Sequence, residues 1–93
     1  METTLRIEGQ KGQIKAHEEG NDIGELTFKI REDGIIVITH TLTYEGYEGR
    51  GVGKELMKAA VEYAQKNSLK IYPLCSFARY YIERKPELRD LLV

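Results

Sequence analysis

Apolar and polar residues alternate through the first third of the chain. Leu5 and Ile7, then Ile14 and Ala16, sit between polar neighbours, with Gly9 to Gly12 as the turn that separates them. That period of two predicts two short strands. Glu18-Glu19-Gly20-Asn21-Asp22 reads as a polar loop. From Glu25 onward Leu26, Phe28 and Ile30 point one way while Thr27, Lys29 and Arg31 point the other, as in a half-buried antiparallel strand. Asp33-Gly34 supplies a hairpin turn. Ile35 to Thr43 is β-branched and largely apolar on both faces, which predicts a central strand. Its alternation sets Ile36, Ile38, His40 and Leu42 in one row and Ile35, Val37, Thr39, Thr41 and Thr43 in the other.

The pattern then changes. Tyr44 to Gly53 holds four of the nine glycines. From its end Val52, Leu56, Ala59, Ala60 and Tyr63 recur at helical spacing, Met57 and Ala64 widen the stripe, and Asn67-Ser68 ends it. Leu69 to Tyr72 reads as a short strand stopped by Pro73, Ser76 to Arg84 as a helix, and Pro86 as the start of a turn that docks Leu88, Leu91 and Leu92. A helix between the fourth and fifth strands predicts that those two run parallel. The expected fold is one α+β domain over residues 1–93, mostly antiparallel with one parallel pair.

Composition narrows the function. A net charge of −1, with Lys and Arg dispersed, gives no concentrated basic surface for nucleic acid. No apolar run reaches membrane-spanning length, and Met1-Glu2-Thr3-Thr4 lacks the features of a signal peptide. Cys75 is the single cysteine, so neither an internal disulfide nor a cysteine-based metal cluster can form. The expectation is a soluble cytoplasmic protein with no metal, nucleic-acid or membrane partner.

Strand, glycine turn and helix in sequence make an anion site, because the first N–H groups of a helix lack partners within it and face outward at its positive end. A Walker A loop fails: Gly53-Lys54 fits its middle, but Glu48 and Glu55 stand where Gly and Ser or Thr are needed. The dinucleotide pattern Gly-x-Gly-x-x-Gly fails in both registers, ending on Lys54 or Leu56.

Glu48-Gly49-Arg50-Gly51-Val52-Gly53 instead resembles the pyrophosphate loop of the GCN5-related N-acetyltransferases, Gln/Arg-x-x-Gly-x-Gly/Ala, with Glu48 in place of the usual first residue. His40-Thr41 and Pro73-Leu74-Cys75-Ser76-Phe77 resemble the short single-domain members, and the similarity covers roughly residues 24 to 92. The resemblance implies acetyl-CoA as donor and an amine as acceptor. It implies that Leu42, Thr43 and Tyr44 offer backbone groups to pantetheine, and that Gly49, Arg50, Gly51, Val52, Gly53 and Lys54 surround the pyrophosphate.

Two side chains are candidates for chemistry. Cys75, near a helix start, reads as a nucleophile or a thiol beside the acetyl group, or as a small packed hydrophobe. His40 reads as an acid or base, or as a packed histidine in its apolar row. His17 reads as surface. Larger relatives carry a tyrosine seven residues into the last motif; here that position is Ile82, with Tyr80 and Tyr81 out of register. Arg79, Arg84 and Lys85 are candidates for the 3′-phosphate of the donor. Two other classes stay open, a coenzyme A-binding module without efficient turnover and an interaction domain whose glycines are structural.

Overall fold

The alternating segments fold into an antiparallel meander whose last strand gains a parallel neighbour. The computed structural model describes residues 1–93. Strands β1 (Glu2–Glu8), β2 (Lys11–Glu18), β3 (Asn21–Ile30) and β4 (Ile35–Thr43) pair in chain order. Helix α1 (Val52–Lys66) crosses the sheet and delivers β5 (Lys70–Pro73) parallel to β4, from Ile35 opposite Lys70 to Ile38 opposite Pro73. Helix α2 (Ser76–Glu83) and a short 3-10 helix (Pro86–Leu91) follow, and the chain end returns to β5, where the Val93 N–H donates to the Ile71 carbonyl at 3.2 Å.

One face of the sheet is covered and the other is not. Ile14, Ala16, Leu26, Phe28, Ile36 and Ile38 lie beneath Leu56, Met57, Ala60 and Ala64 of α1 in a continuous core of 17 buried residues. Each fully buried Ile, Leu or Phe contributes about 1.5–3 kcal/mol relative to exposure. Two glycines in the strands permit that packing. A Cβ on Gly24 would meet Val52 Cγ1 at 2.5 Å and the Leu42 carbonyl at 2.9 Å, so this glycine lets the start of α1 sit directly on β3. A Cβ on Gly12 would enter the Phe28 ring at 2.1 Å.

Beyond Ile38 the two rows expected for β4 exchange faces. Phe28 pairs with Ile38, but the next β3 residue, Thr27, pairs with His40, leaving Thr39 without a partner. The inserted residue makes a β-bulge, which reverses the alternation. Its hydroxyl donates to the Thr27 carbonyl at 3.1 Å and lies 3.0 Å from the Thr27 hydroxyl, so the bulged residue holds its own place. Thr41 and Thr43 therefore lie on the helix side, opposite Leu26 and Gly24, and His40 and Leu42 lie on the open side. His40 is exposed rather than packed with Ile36 and Ile38, which corrects the reading of one continuous row.

Candidate active site

The bulge coincides with the end of β5. Ladder pairing stops at Ile38 and Pro73, and the Ile38 carbonyl then accepts from both Leu74 N–H at 3.0 Å and Cys75 N–H at 3.1 Å. Past that point β4 continues to Thr43 with a partner on β3 alone, so a cleft opens between it and the start of α2. A depression of about 220 Å³ lies there, lined by Thr41, Leu42, Thr43, Gly53 and Phe77.

Which backbone groups face this cleft follows from the ladder. The Tyr44 N–H donates to the Ile23 carbonyl at 2.9 Å, and the Leu42 carbonyl lies against Gly24. Hydrogen-bonding direction alternates along an antiparallel strand. Leu42 and Tyr44 are therefore turned toward β3, and Thr41 and Thr43 present their N–H and C=O groups to the cleft. Of the three residues expected to offer backbone groups there, Thr43 does so. Leu42 lines the depression without a free N–H, and Tyr44 is committed to β3. Thr41 is the residue that sequence reasoning missed; its place beside His40 was the only signal, and its direction depends on the bulge.

Cys75 closes the other side. It is the N-cap residue of α2, with extended backbone (φ −74°, ψ 132°), and is half-buried. Its Sγ lies 3.4 Å from the Thr41 hydroxyl. Burial pushes the thiol up, but the Thr41 hydroxyl and the N–H groups of Ala78, Phe77 and Thr41 outweigh it and hold Cys75 below the ordinary thiol range. The helix N-terminus and the free β4 amide favour the thiolate for the same electrostatic reason.

The glycine loop stands above the cleft. Gly49 (φ 78°) and Gly51 (φ 80°) adopt the left-handed conformation, and the space where a Cβ would stand is open at both. Gly51 caps α1 without a side-chain hydrogen bond, and its carbonyl accepts the first helical bond from Glu55 at 3.1 Å. The N–H groups of Val52, Gly53 and Lys54 are left without helical acceptors. Gly53 has a second reason to be glycine: a Cβ there would meet the Phe77 ring at 2.8 Å, so α2 can pack only against a bare helix start.

The charged residues near the loop are placed unequally. Glu48 folds back and accepts the Gly46 N–H at 3.0 Å. Arg50 pairs with Glu18 on β2 and lies 5.5 Å from the Tyr47 ring centroid, so it ties the loop to the sheet. Lys54 is exposed and faces a hollow of about 440 Å³ shared with Phe77, Tyr80, Tyr81, Arg84 and Lys85. Phe77 lines both depressions, so they adjoin, and the larger carries three basic side chains. Arg79 is not among them: it donates to the Pro73 carbonyl at 3.1 Å and pairs with Glu83 at 3.8 Å. Tyr81 stays a protonated phenol, raised by burial and then by Glu55 and Glu87, while Ile82 is wholly buried. A wider hollow of about 510 Å³ lies elsewhere, between Arg6, Lys11, Gln13, Lys29 and Thr39 on the open sheet face.

His40 is not in the cleft with Cys75. It lies on the open face, its Nε2 3.7 Å from Glu25 Oε2. The neighbouring residue Thr41 contacts the thiol from the helix side. His17 is also outside the cleft, opposite the bulge that Ile23 makes in β3. No helix in the chain is long and apolar enough to cross a membrane.

Comparison with known proteins agrees with the geometry. A GCN5-like protein from Staphylococcus aureus, solved by NMR in solution, is 34% identical over 97% of this chain and 87% of its own, with a TM-score of 0.69. The mouse protein named NATD1 is 28% identical over 85 residues, 88% of this chain and 77% of the mouse protein. A Bacillus anthracis protein solved with acetyl coenzyme A bound shares the fold at a TM-score of 0.65, with 20% identity over 83% of this chain and 47% of its own. The profile described as GCN5-related N-acetyl-transferase matches residues 13–91, from β2 through the glycine loop and the Cys75 turn to the last helix. With a parted β4–β5 pair and a glycine-capped central helix beside it, the chain belongs to the GCN5-related N-acetyltransferase family.

Proposed function

We propose that this chain transfers an acetyl group from acetyl-CoA to an amine, with the donor lying along the groove from Thr41 to Lys85. The observation that carries the reading is the alignment of N–H groups that no backbone carbonyl claims: Thr41 and Thr43 in the cleft, then Val52, Gly53 and Lys54 at the start of α1. Gly49 to Lys54 hold the pyrophosphate, and Lys54, Arg84 and Lys85 attract the remaining phosphate. Arg50 keeps the loop in shape. N–H groups at the end of β4 polarise the thioester carbonyl, the kind of fixed dipole that stabilises a developing oxyanion.

Cys75 acts at the sulfur. Its thiol releases a proton more readily than an ordinary cysteine and is placed to protonate the departing thiolate, a role that Ile82 cannot fill. His40 is the base for the amine. A free thiol and an acetyl-CoA donor both suit the reducing cytoplasm.

The test is an amide NMR titration with acetyl-CoA, and with desulfo-CoA to separate effects of the thiol. Shifts are expected at Gly49, Gly51, Gly53 and Lys54, and at Thr41, Thr43 and Cys75. Absence of shifts at near-millimolar ligand would overturn the reading and leave a structural glycine turn. Mass spectrometry after incubation without acceptor then fixes the role of Cys75: an unmodified chain supports the proton donor, and an acetylated Cys75 assigns the nucleophile instead.

A further inference from the structure

The bulge at Thr39 turns His40 onto the sheet face that α1 leaves uncovered, and there it meets two residues the cleft does not use. Glu25, half-buried on β3, directs one carboxylate oxygen to the Tyr44 hydroxyl, which donates at 2.6 Å, and the other to His40 Nε2 at 3.7 Å. Lys15 stands across from Glu25 in the β2–β3 register, but its ammonium is drawn to Asp22 at 3.4 Å. Thr27, the remaining cross-strand neighbour of His40, is uncharged. His40 is thus the one basic side chain within ion-pair distance of Glu25. The carboxylate is 22% exposed and the imidazole 46%, so the anion is the anchored partner and the ring keeps an open side.

Neighbouring residues on a strand point to opposite faces. His40 and Thr41 therefore flank the end of β4 from its two sides at the level where β5 has withdrawn. An amine approaching from the open face reaches His40 without passing the donor groove.

We infer that Glu25 and Tyr44 are positioning residues that hold His40 as the base for an amine arriving on the open sheet face; this rests on the acetyl-transfer reading. Glu25 draws Nε2–H toward itself and leaves the Nδ1 lone pair free. The acceptor nitrogen forms the new N–C bond, the C–S pair leaves on sulfur, and the released N–H proton passes to Nδ1. The imidazolium so formed lies beside the Glu25 carboxylate. Tyr44 fixes that carboxylate and stays protonated, its ionisation pushed up to about 12 by the hydrogen bond to Glu25, then by burial and the charges of Glu25 and Asp22. An isolated surface ion pair of this kind adds little to stability, so its use is positional.

The experiment is a double-mutant cycle on acetyl transfer to a panel of primary amines. His40→Gln is expected to lower kcat about 100-fold or more, the range of a lost general base. Glu25→Gln should lower it about 10- to 100-fold and Tyr44→Phe about threefold to tenfold, with acetyl-CoA binding unchanged. The double variant E25Q/H40Q should be no slower than H40Q, because Glu25 acts through His40. Losses that multiply in the double variant would overturn the inference and leave the acetyl-transfer reading standing. A wild-type chain that binds acetyl-CoA but acetylates no amine overturns both. A second readout needs no turnover: in E25Q one tyrosine, identified by its absence in Y44F, should ionise nearer 10 than 12 by tyrosinate absorbance. If that tyrosine does not move, Tyr44 does not hold Glu25 and the anchoring is wrong.

Discussion

The two halves of β4 obey different rules. From Ile35 to Ile38 the strand is paired on both sides, and Ile36 and Ile38 are fully buried. From Thr39 to Thr43 it has one neighbour, half-exposed Thr41 and Thr43 toward the helices, and His40 and Leu42 open to solvent. The first half shows how a strand is stabilised. The second shows how a site is made by withholding a neighbour: backbone groups that a fifth strand would satisfy remain free for a ligand. Buried N–H and C=O groups are costly to leave unpaired, so such an opening must be wet or occupied.

The contrast can be broken most strongly in the paired half. Ile38→Ala should lower unfolding free energy by about 2–5 kcal/mol, measured by chemical denaturation, because it empties a closed site. Thr41→Val in the open half should change stability by less than about 0.5 kcal/mol. Equal losses would mean that the two halves are not energetically distinct.

Gly24→Val sharpens the link between the halves. Its side chain would displace Val52 and the Leu42 carbonyl, at an expected cost of about 1–3 kcal/mol for overpacking. Movement of the α1 start should also weaken acetyl-CoA binding in the titration, whereas Ile38→Ala should not do so while the chain stays folded. Undiminished binding in Gly24→Val would show that the helix start tolerates displacement.

The smallest effect is on thiol chemistry. Thr41→Val removes a hydroxyl that holds the Cys75 thiol down, so the thiol should move up toward its ordinary range. Iodoacetamide alkylation at neutral pH should slow by about twofold to fivefold, since the thiolate is the reacting form. A depressed thiol pKa favours the folded state once pH exceeds the folded value, and that contribution disappears as pH falls through it. Unchanged alkylation would remove Thr41 from the environment of Cys75.

Much of the frame was readable in the chain. Alternation gave four strands, helical spacing gave α1, and the helix between strands gave the parallel pair, because each is a property of contiguous residues. The loop was legible for a similar reason: its glycines mark a turn before a helix, and Gly49 and Gly51 there adopt left-handed backbone. The β4 bulge was not legible. Threonine at position 39 suits a regular strand as well as a bulge, and only pairing with Thr27 and Phe28 decides between them. That one unreadable residue misassigned the face of His40 and hid Thr41.

The sequence by itself determined the order of elements, the glycine-capped helix start and the presence of one thiol and one central histidine, since local pattern and residue chemistry suffice for those. Tertiary structure alone decided that Cys75 meets Thr41, that Arg50 serves Glu18, that Gly24 and Gly53 are gaps for Val52 and Phe77, and that Glu25 and Tyr44 gather at His40. The reason is separation along the chain: Thr41 and Cys75 are 34 residues apart, and Arg50 and Glu18 are 32. No local periodicity encodes contacts at that distance; they exist only once register, bulge and helix packing have been fixed together.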